Sequence, residues 1–277
     1  MNITPGIMRR CVAALFLVAS LTAGLSCSTV PLTGRKQLNL VPESEMLSTS
    51  FQQYGDFVKQ NKISADRSGA ELVRRVGTRI RGAVEQYMAA NNLSDRLKGY
   101  AWEFNLVESN EVNAWCMPGG KVVVYTAILP LTRDEQGLAV VLGHEIAHAI
   151  AEHGNERMSQ EMIAQFGGAA LSELLKSKPA QTQQLWMGVF GAGAQYGVLL
   201  PYSRTHESEA DHLGLIFMAM AGYDPNGAVD FWQRMSAANK GKAPPEFLST
   251  HPADETRIAQ IRQALPEALQ YYHPSRR

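Results

Sequence analysis

The sequence predicts an α+β fold, mainly α, with one small mixed β-sheet. Three observations lead there. Apolar stripes at helical spacing recur through the chain, as in Leu72, Val76, Ile80, Val84 and Tyr87, or Leu138, Val141, Leu142, Ile146 and Ile150. Strand-like alternation is concentrated in residues 100–125. The 277 residues suffice for a sizeable core, and the 26 basic and 26 acidic residues balance without a Lys/Arg-rich run. That balance leaves no electrostatic footprint for nucleic acid.

Residues 1–26 stand apart from the globule. Arg9 and Arg10 precede an uncharged apolar stretch, Cys11 to Leu25, which reads as a secretory signal and is shorter than the ~20 residues of a membrane span. The junction Leu25-Ser26-Cys27-Ser28 resembles a bacterial lipoprotein processing site, with Cys27 as lipid carrier and Ser28 favouring the outer membrane. Cys116 is then left without an intrachain partner, and a small buried apolar role is expected for it. Residues 27–42, punctuated by Pro31, Gly34 and Pro42, are expected to form an extended tether to a domain spanning 43–277.

Within that domain, helices are expected over 43–60 and 67–91, with Asn91-Asn92 as a stop. Residues 100–107 read as a strand. Residues 112–117 and 121–125 read as two more strands around the turn Pro118-Gly119-Gly120. They form either an ordinary hairpin or one whose outer strand borders a binding cleft, where an extended peptide can add by main-chain hydrogen bonds; both can hold at once. Asp134 or Thr132 begins the next helix, with Glu135 near its positive end.

This helix carries His144-Glu145-x-x-His148. Residues four apart on a helix stack on one face, so two imidazoles can clasp one zinc ion. Glu145, turned about 100° from His144, can take a proton from metal-bound water. Three polar groups on an otherwise apolar segment are costly to bury without such a task. His153 lies nine positions past His144, on the opposite side of a continuous helix. It is assigned a structural role, with Gly154 closing the helix. Residues 185–200, rich in Gly and Ala, are expected to form a buried hairpin against this helix.

Tetrahedral zinc needs another protein ligand besides two histidines and water. In residues 203–222, Glu207 can close the shell. Asp211, one turn on, can accept the outward N–H of a ligating histidine, while Glu209 is expected to face solvent. The motif His144–His148, followed after a long insertion by SRTHESEAD, resembles the zinc metallopeptidases of the HtpX, BepA and LoiP kind, relatives of the CaaX prenyl protease and the mitochondrial Oma protease. NAWCMPGGKVVVYTAIL, STHPADETRI and the start CSTVPLTGRKQLNLVP are similar to segments of the same family.

The resemblance implies a zincin-like fold with one Zn2+ per chain, held by His144, His148 and Glu207. It further implies Glu145 as base, Asp211 behind the ligands, and misfolded or stalled envelope proteins as substrates on the periplasmic side of the envelope. His251 and Arg257 match the family's late His-Pro…Arg-Ile segment. His251 either donates to the tetrahedral oxyanion or binds zinc in a resting form; Arg257 shares the site or pairs with Glu207 or Asp211. The competing function is a periplasmic chaperone or assembly factor with a closed or structural zinc site.

Overall fold

The structure is a computed structural model describing residues 27–177, 179–194, 200–238, 246–252 and 255–274. The signal expected at 1–26 lies outside the described residues. Strands β1 (Cys27–Thr29) and β2 (Lys36–Leu38) pair antiparallel. Helices α1 (Glu43–Gln60) and α2 (Arg67–Ala90) follow, then β3 (Glu103–Val107), β4 (Ala114–Met117) and β5 (Lys121–Tyr125). After the short α3 (Leu129–Thr132) come α4 (Glu135–Ile150), α5 (His153–Leu175), α6 (Ala180–Ala194) and α7 (Leu200–Met220). The last helices are α8 (Gly227–Ala238), α9 (Glu246–Thr250) and α10 (Glu255–Ala268).

The sheet order is β3-β5-β4, with β3 parallel and β4 antiparallel to β5, so β4 is an edge. Strand alternation divides its contacts. Val122 and Val124 join the main core with α2 and α4, whereas Val123 faces Tyr54 and Phe57 of α1. Asp66 and Asp134 cap α2 and α4 by accepting from the Gly69 and Gly137 amides at 3.0 and 2.9 Å.

Helix α4 is buried almost all round, from Gly137 to Ile150, and packs chiefly against α7. Glycine is required at their crossing. A Cβ on Gly143 would lie 2.8 Å from the Gly214 carbonyl oxygen, and one on Gly214 would lie 2.9 Å from the Gly143 carbonyl carbon. The two backbones therefore touch, which brings His144 beside Glu207 and Asp211.

Three expectations need correction. The segment read as a tether is, over Cys27–Leu38, a hairpin; Arg35 beside it pairs with Glu156 of α5 and Glu209 of α7. Residues 185–194 do not pack as a buried hairpin against the zinc-motif helix. They belong to α6, which packs along α5, where Phe190 fills the space above Gly167 and Gly168. Phe166, Leu174 and Val189 stay exposed on this pair. The small residues do permit close approach, but to a different helix, which periodicity cannot specify. Finally, α4 does not run through to Gly154. It ends at Ile150, Glu152 takes a left-handed conformation (φ 58°), and a new helix starts at His153. This unfavourable backbone is held by Arg96 and Asn39, both bonded to the Glu152 carboxylate.

Candidate metal centre

Helix α4 presents His144, Glu145 and His148, α7 presents Glu207 and Asp211, and the last turn of α9 leads into His251. One ligand atom from each of His144, His148, Glu207 and His251 lies within 4.8 Å of the others. His144 Nε2 is 3.1 Å from His148 Nε2 and 3.4 Å from Glu207 Oε2. His148 Nε2 is 3.3 Å from Glu207 Oε1. His251 Nδ1 closes the group, 3.0 Å from His144 Nε2 and 2.8 Å from Glu207 Oε2.

These spacings suit a cation. Ligand bonds of about 2.1 Å meeting at tetrahedral angles separate the donor atoms by about 3.4 Å. The Asp211 carboxylate, 3.0 Å from His144 Nδ1, can only accept a hydrogen, so the Nε2 lone pair of His144 points into the cluster. Without an ion, the converging nitrogens and carboxylate need an extra proton among them, and His144 is the ring placed to take it. Glu145 adds a second sign of a chemical site. Its Oε1 is buried with no hydrogen-bond partner among the described residues, and His251 Nε2 stands 3.5 Å away.

Burial pushes the Glu145 carboxyl above the ordinary range, the direction a proton acceptor needs. Burial opposes the charge on Glu207 too, but His144 and the other rings outweigh it and hold Glu207 far below the usual carboxylate range. At His144 burial disfavours protonation, yet Glu207 and Asp211 raise the ring to about 9. His148 goes the other way, lowered by burial.

Arg257 sits behind this group rather than in it. Its Nε and NH2 donate to Asp211 at 2.8 and 2.7 Å, NH1 lies 3.3 Å from Glu207, and its plane stacks on Trp232 at 3.5 Å. A cleft of about 300 Å³ opens in front, bordered by Asn113–Cys116 of the β4 edge and by Glu145, His148, Glu207 and His251. Cys116 lines it half-buried, its thiol held well above the usual range by burial and then Glu145. A larger groove of about 660 Å³ between α7 and α10 holds none of the four converging donors, so the chemistry belongs to the smaller cleft.

Two residues behave differently from their sequence expectation. Glu209 is buried, not solvated; it takes hydrogen bonds from Thr33 Oγ1 and Arg35 Nε and lies 3.0 Å from His153 Nε2. His153 is not on the far side of the helix. The break at Glu152 folds it back until its Nδ1 is 2.9 Å from His148 Nδ1. Its ring stacks on His206, which bonds Glu156. Burial lowers the His153 ring to about 4; against their own burial, His206 and then Arg35 hold Glu156 at about 2, and His153, Arg35 and Thr33 hold Glu209 at about 2. Trp232 and Phe247, which wall the cluster, were also unpredicted, because nothing local marks an aromatic residue as facing a site.

An HExxH helix crossing a glycine-spaced partner helix, beneath an edge strand and with a His/Glu donor cluster, defines a zincin-like metallopeptidase. The profile of peptidase family M48 covers residues 77–265, and the chain belongs to this family, whose metallopeptidases are zinc-dependent. The chain is 35% identical over 247 residues to mitochondrial metalloendopeptidase OMA1 of Schizosaccharomyces pombe, covering 86% of this chain and 66% of that protein. It is 34% identical over 209 residues to the Saccharomyces cerevisiae OMA1, covering 71% and 55%. It is 31% identical over 182 residues to the beta-barrel assembly-enhancing protease of Yersinia pestis, covering 62% and 37%. Each match spans less than two thirds of the relative's own length.

Proposed function

We propose that the protein is a zinc-dependent endopeptidase of the bacterial envelope, cleaving misfolded or stalled envelope proteins. The observation that carries the peptidase reading is the four-donor convergence beside a buried Glu145 oxygen that accepts no hydrogen bond among the described residues. In this reading His144, His148 and Glu207 hold the metal. Zinc, when bound, supplies Lewis acidity that polarises the scissile carbonyl and lowers the pKa of a water. Glu145 takes the proton from that water and hands it to the leaving amine. Asp211 fixes the ring of His144, and Arg257 orients Asp211 and balances its charge. The β4 edge, bordering the cleft, offers main-chain pairing to an extended peptide irrespective of its side chains, which suits unfolded substrates.

Of the two roles open to His251, its contacts of 2.8 and 3.0 Å favour the resting donor that must leave before substrate enters. That closed arrangement also supports a second reading, an assembly factor whose cleavage is restrained; one set of relatives is named for enhancing assembly. The Glu145→Gln variant separates the two. Loss of cleavage of an unfolded test protein is expected, with metal retained. Wild-type cleavage would overturn the peptidase reading, and retained rescue of assembly in cells without cleavage would establish both roles.

The envelope assignment rests on the signal pattern of residues 1–26, on Cys27 as lipid carrier and on the assembly-enhancing relatives. The mitochondrial relatives make it worth testing directly. Lipid on Cys27 by mass spectrometry and recovery in the outer-membrane fraction are the expected results. No helix among the described residues is long and apolar enough to cross a membrane.

A further inference from the structure

We propose that the amino-terminal hairpin is part of the metal centre. A hydrogen-bond relay of fixed direction runs from His148 through His153 and Glu209 to Arg35, making these last three positioning residues for His148. The inference rests on His148 being a zinc ligand through Nε2.

The direction follows from what each group can do. Glu209 is an ionised carboxylate that only accepts: from Arg35 Nε at 2.9 Å, from Thr33 Oγ1, and from His153 Nε2 at 3.0 Å. His153 therefore carries its hydrogen on Nε2 and offers a lone pair at Nδ1. The atom facing that lone pair, at 2.9 Å, is His148 Nδ1, which must supply the hydrogen. With its hydrogen on Nδ1, neutral His148 has its Nε2 lone pair free, directed toward His144 Nε2 and Glu207 Oε1 at 3.1 and 3.3 Å. Asp211 sets the tautomer of His144 directly. For His148 the same task falls to a neutral imidazole, which accepts only if its other nitrogen is committed elsewhere. Glu209 supplies that commitment.

Geometry supports a built device rather than a chance contact. His153 and Glu209 are both buried, and the left-handed turn at Glu152 is what returns His153 to His148. His206 stacks on His153 at 4.4 Å between centroids and fixes its plane. Arg35 also bonds Glu156 through NH1 and NH2 at 2.9 and 2.7 Å, so one guanidinium ties the hairpin to α5 and α7. Residues before the catalytic domain thus reach a metal ligand through three hydrogen bonds.

Two measurements test this. Long-range nitrogen–proton correlation spectra of the native protein report each histidine's tautomer with and without zinc. His148 should carry its hydrogen on Nδ1 and His153 on Nε2, and zinc should shift His148 Nε2. A hydrogen on His153 Nδ1 overturns the relay; no zinc response at His148 Nε2 overturns instead the ligand assignment beneath it.

Zinc affinity is then measured by chelator competition, beside the melting temperature of the metal-free protein. His153→Leu should lose about 10–100-fold. His153→Asn, whose Oδ1 replaces the Nδ1 acceptor, should return to within about threefold of the native value, and Arg35→Met should lose less than His153→Leu. Native affinity in a folded His153→Leu protein overturns the proposal. If that variant does not fold, the native spectra still decide.

Discussion

Two clusters of histidine and carboxylate meet at α7, one shared with α4 and the other with α5, and they do opposite things. In the inner one, His144, His148, Glu207 and His251 converge, with Glu145 Oε1 beside them accepting no hydrogen bond among the described residues. In the outer one, Arg35, Glu156, Glu209, His153 and His206 are matched donor to acceptor. The residue types are nearly the same. The outer cluster contains a permanent cation, Arg35, and so satisfies itself. The inner one is short of hydrogens at its centre, because Arg257 is spent mainly on Asp211 behind it; a metal ion, or in its absence a proton on His144, makes up the difference. What marks a metal site is this deficit of hydrogens, not the density of His and Glu.

The comparison breaks most directly at Glu145. Glu145→Gln keeps the shape of the inner cluster and removes the proton acceptor proposed for it, so kcat/KM on an unfolded protein should fall about 10²–10⁴-fold with zinc content unchanged. A fall below tenfold would mean that the Glu145 carboxylate has no chemical task. Asp211→Asn should weaken zinc binding about tenfold, since the amide oxygen still accepts from His144 but no longer as a carboxylate. Equal zinc affinity in mutant and native protein would show that Asp211 matters only to folding.

At the crossing that joins the two helices, Gly143→Ala must separate α4 from α7, because its Cβ would meet the Gly214 carbonyl at 2.8 Å. A loss of about 1–3 kcal/mol by denaturant titration is expected, with weaker zinc binding because His144 and Glu207 move apart. The outer cluster gives the smallest effect, and one that depends on pH. Glu156 is depressed from 4.5 to about 2, so it contributes stability above its unfolded value and loses it as pH falls toward 2. Glu156→Gln should therefore cost about 1–3 kcal/mol at pH 7, and the gap to the native protein should narrow below pH 5. A gap independent of pH would show that packing, not charge, is at stake.

Much of this was legible locally. Helical spacing marked Glu43–Gln60 and Arg67–Ala90 to within a residue, and the Gly-Gly turn marked the β4–β5 hairpin. The i, i+4 pairs His144/His148 and Glu207/Asp211 marked the inner cluster, because one helical turn is a local property. The outer cluster was not legible. Glu209 read as solvated because its partner Arg35 lies 174 residues away in a segment without helical or strand periodicity. His153 read as remote from His148 because a continuous helix was assumed, and no glycine announces the left-handed residue at Glu152. Residues 185–200 read as a buried hairpin, although over 185–194 α6 packs on α5 and leaves Val189 exposed; 195–199 lie outside the described residues.

The sequence by itself determined where helices 43–60 and 67–90 lie, the β4–β5 hairpin and which side chains share a helical face, since these follow from periods of 3.6 and 2 along one segment. Only the tertiary structure decided which faces meet, how the chain turns at Glu152, and that the Cys27–Leu38 hairpin connects through Arg35, Glu209 and His153 to His148. Those outcomes depend on contacts between distant residues and on one backbone angle that neighbouring contacts hold in place. No pattern within a single segment encodes them.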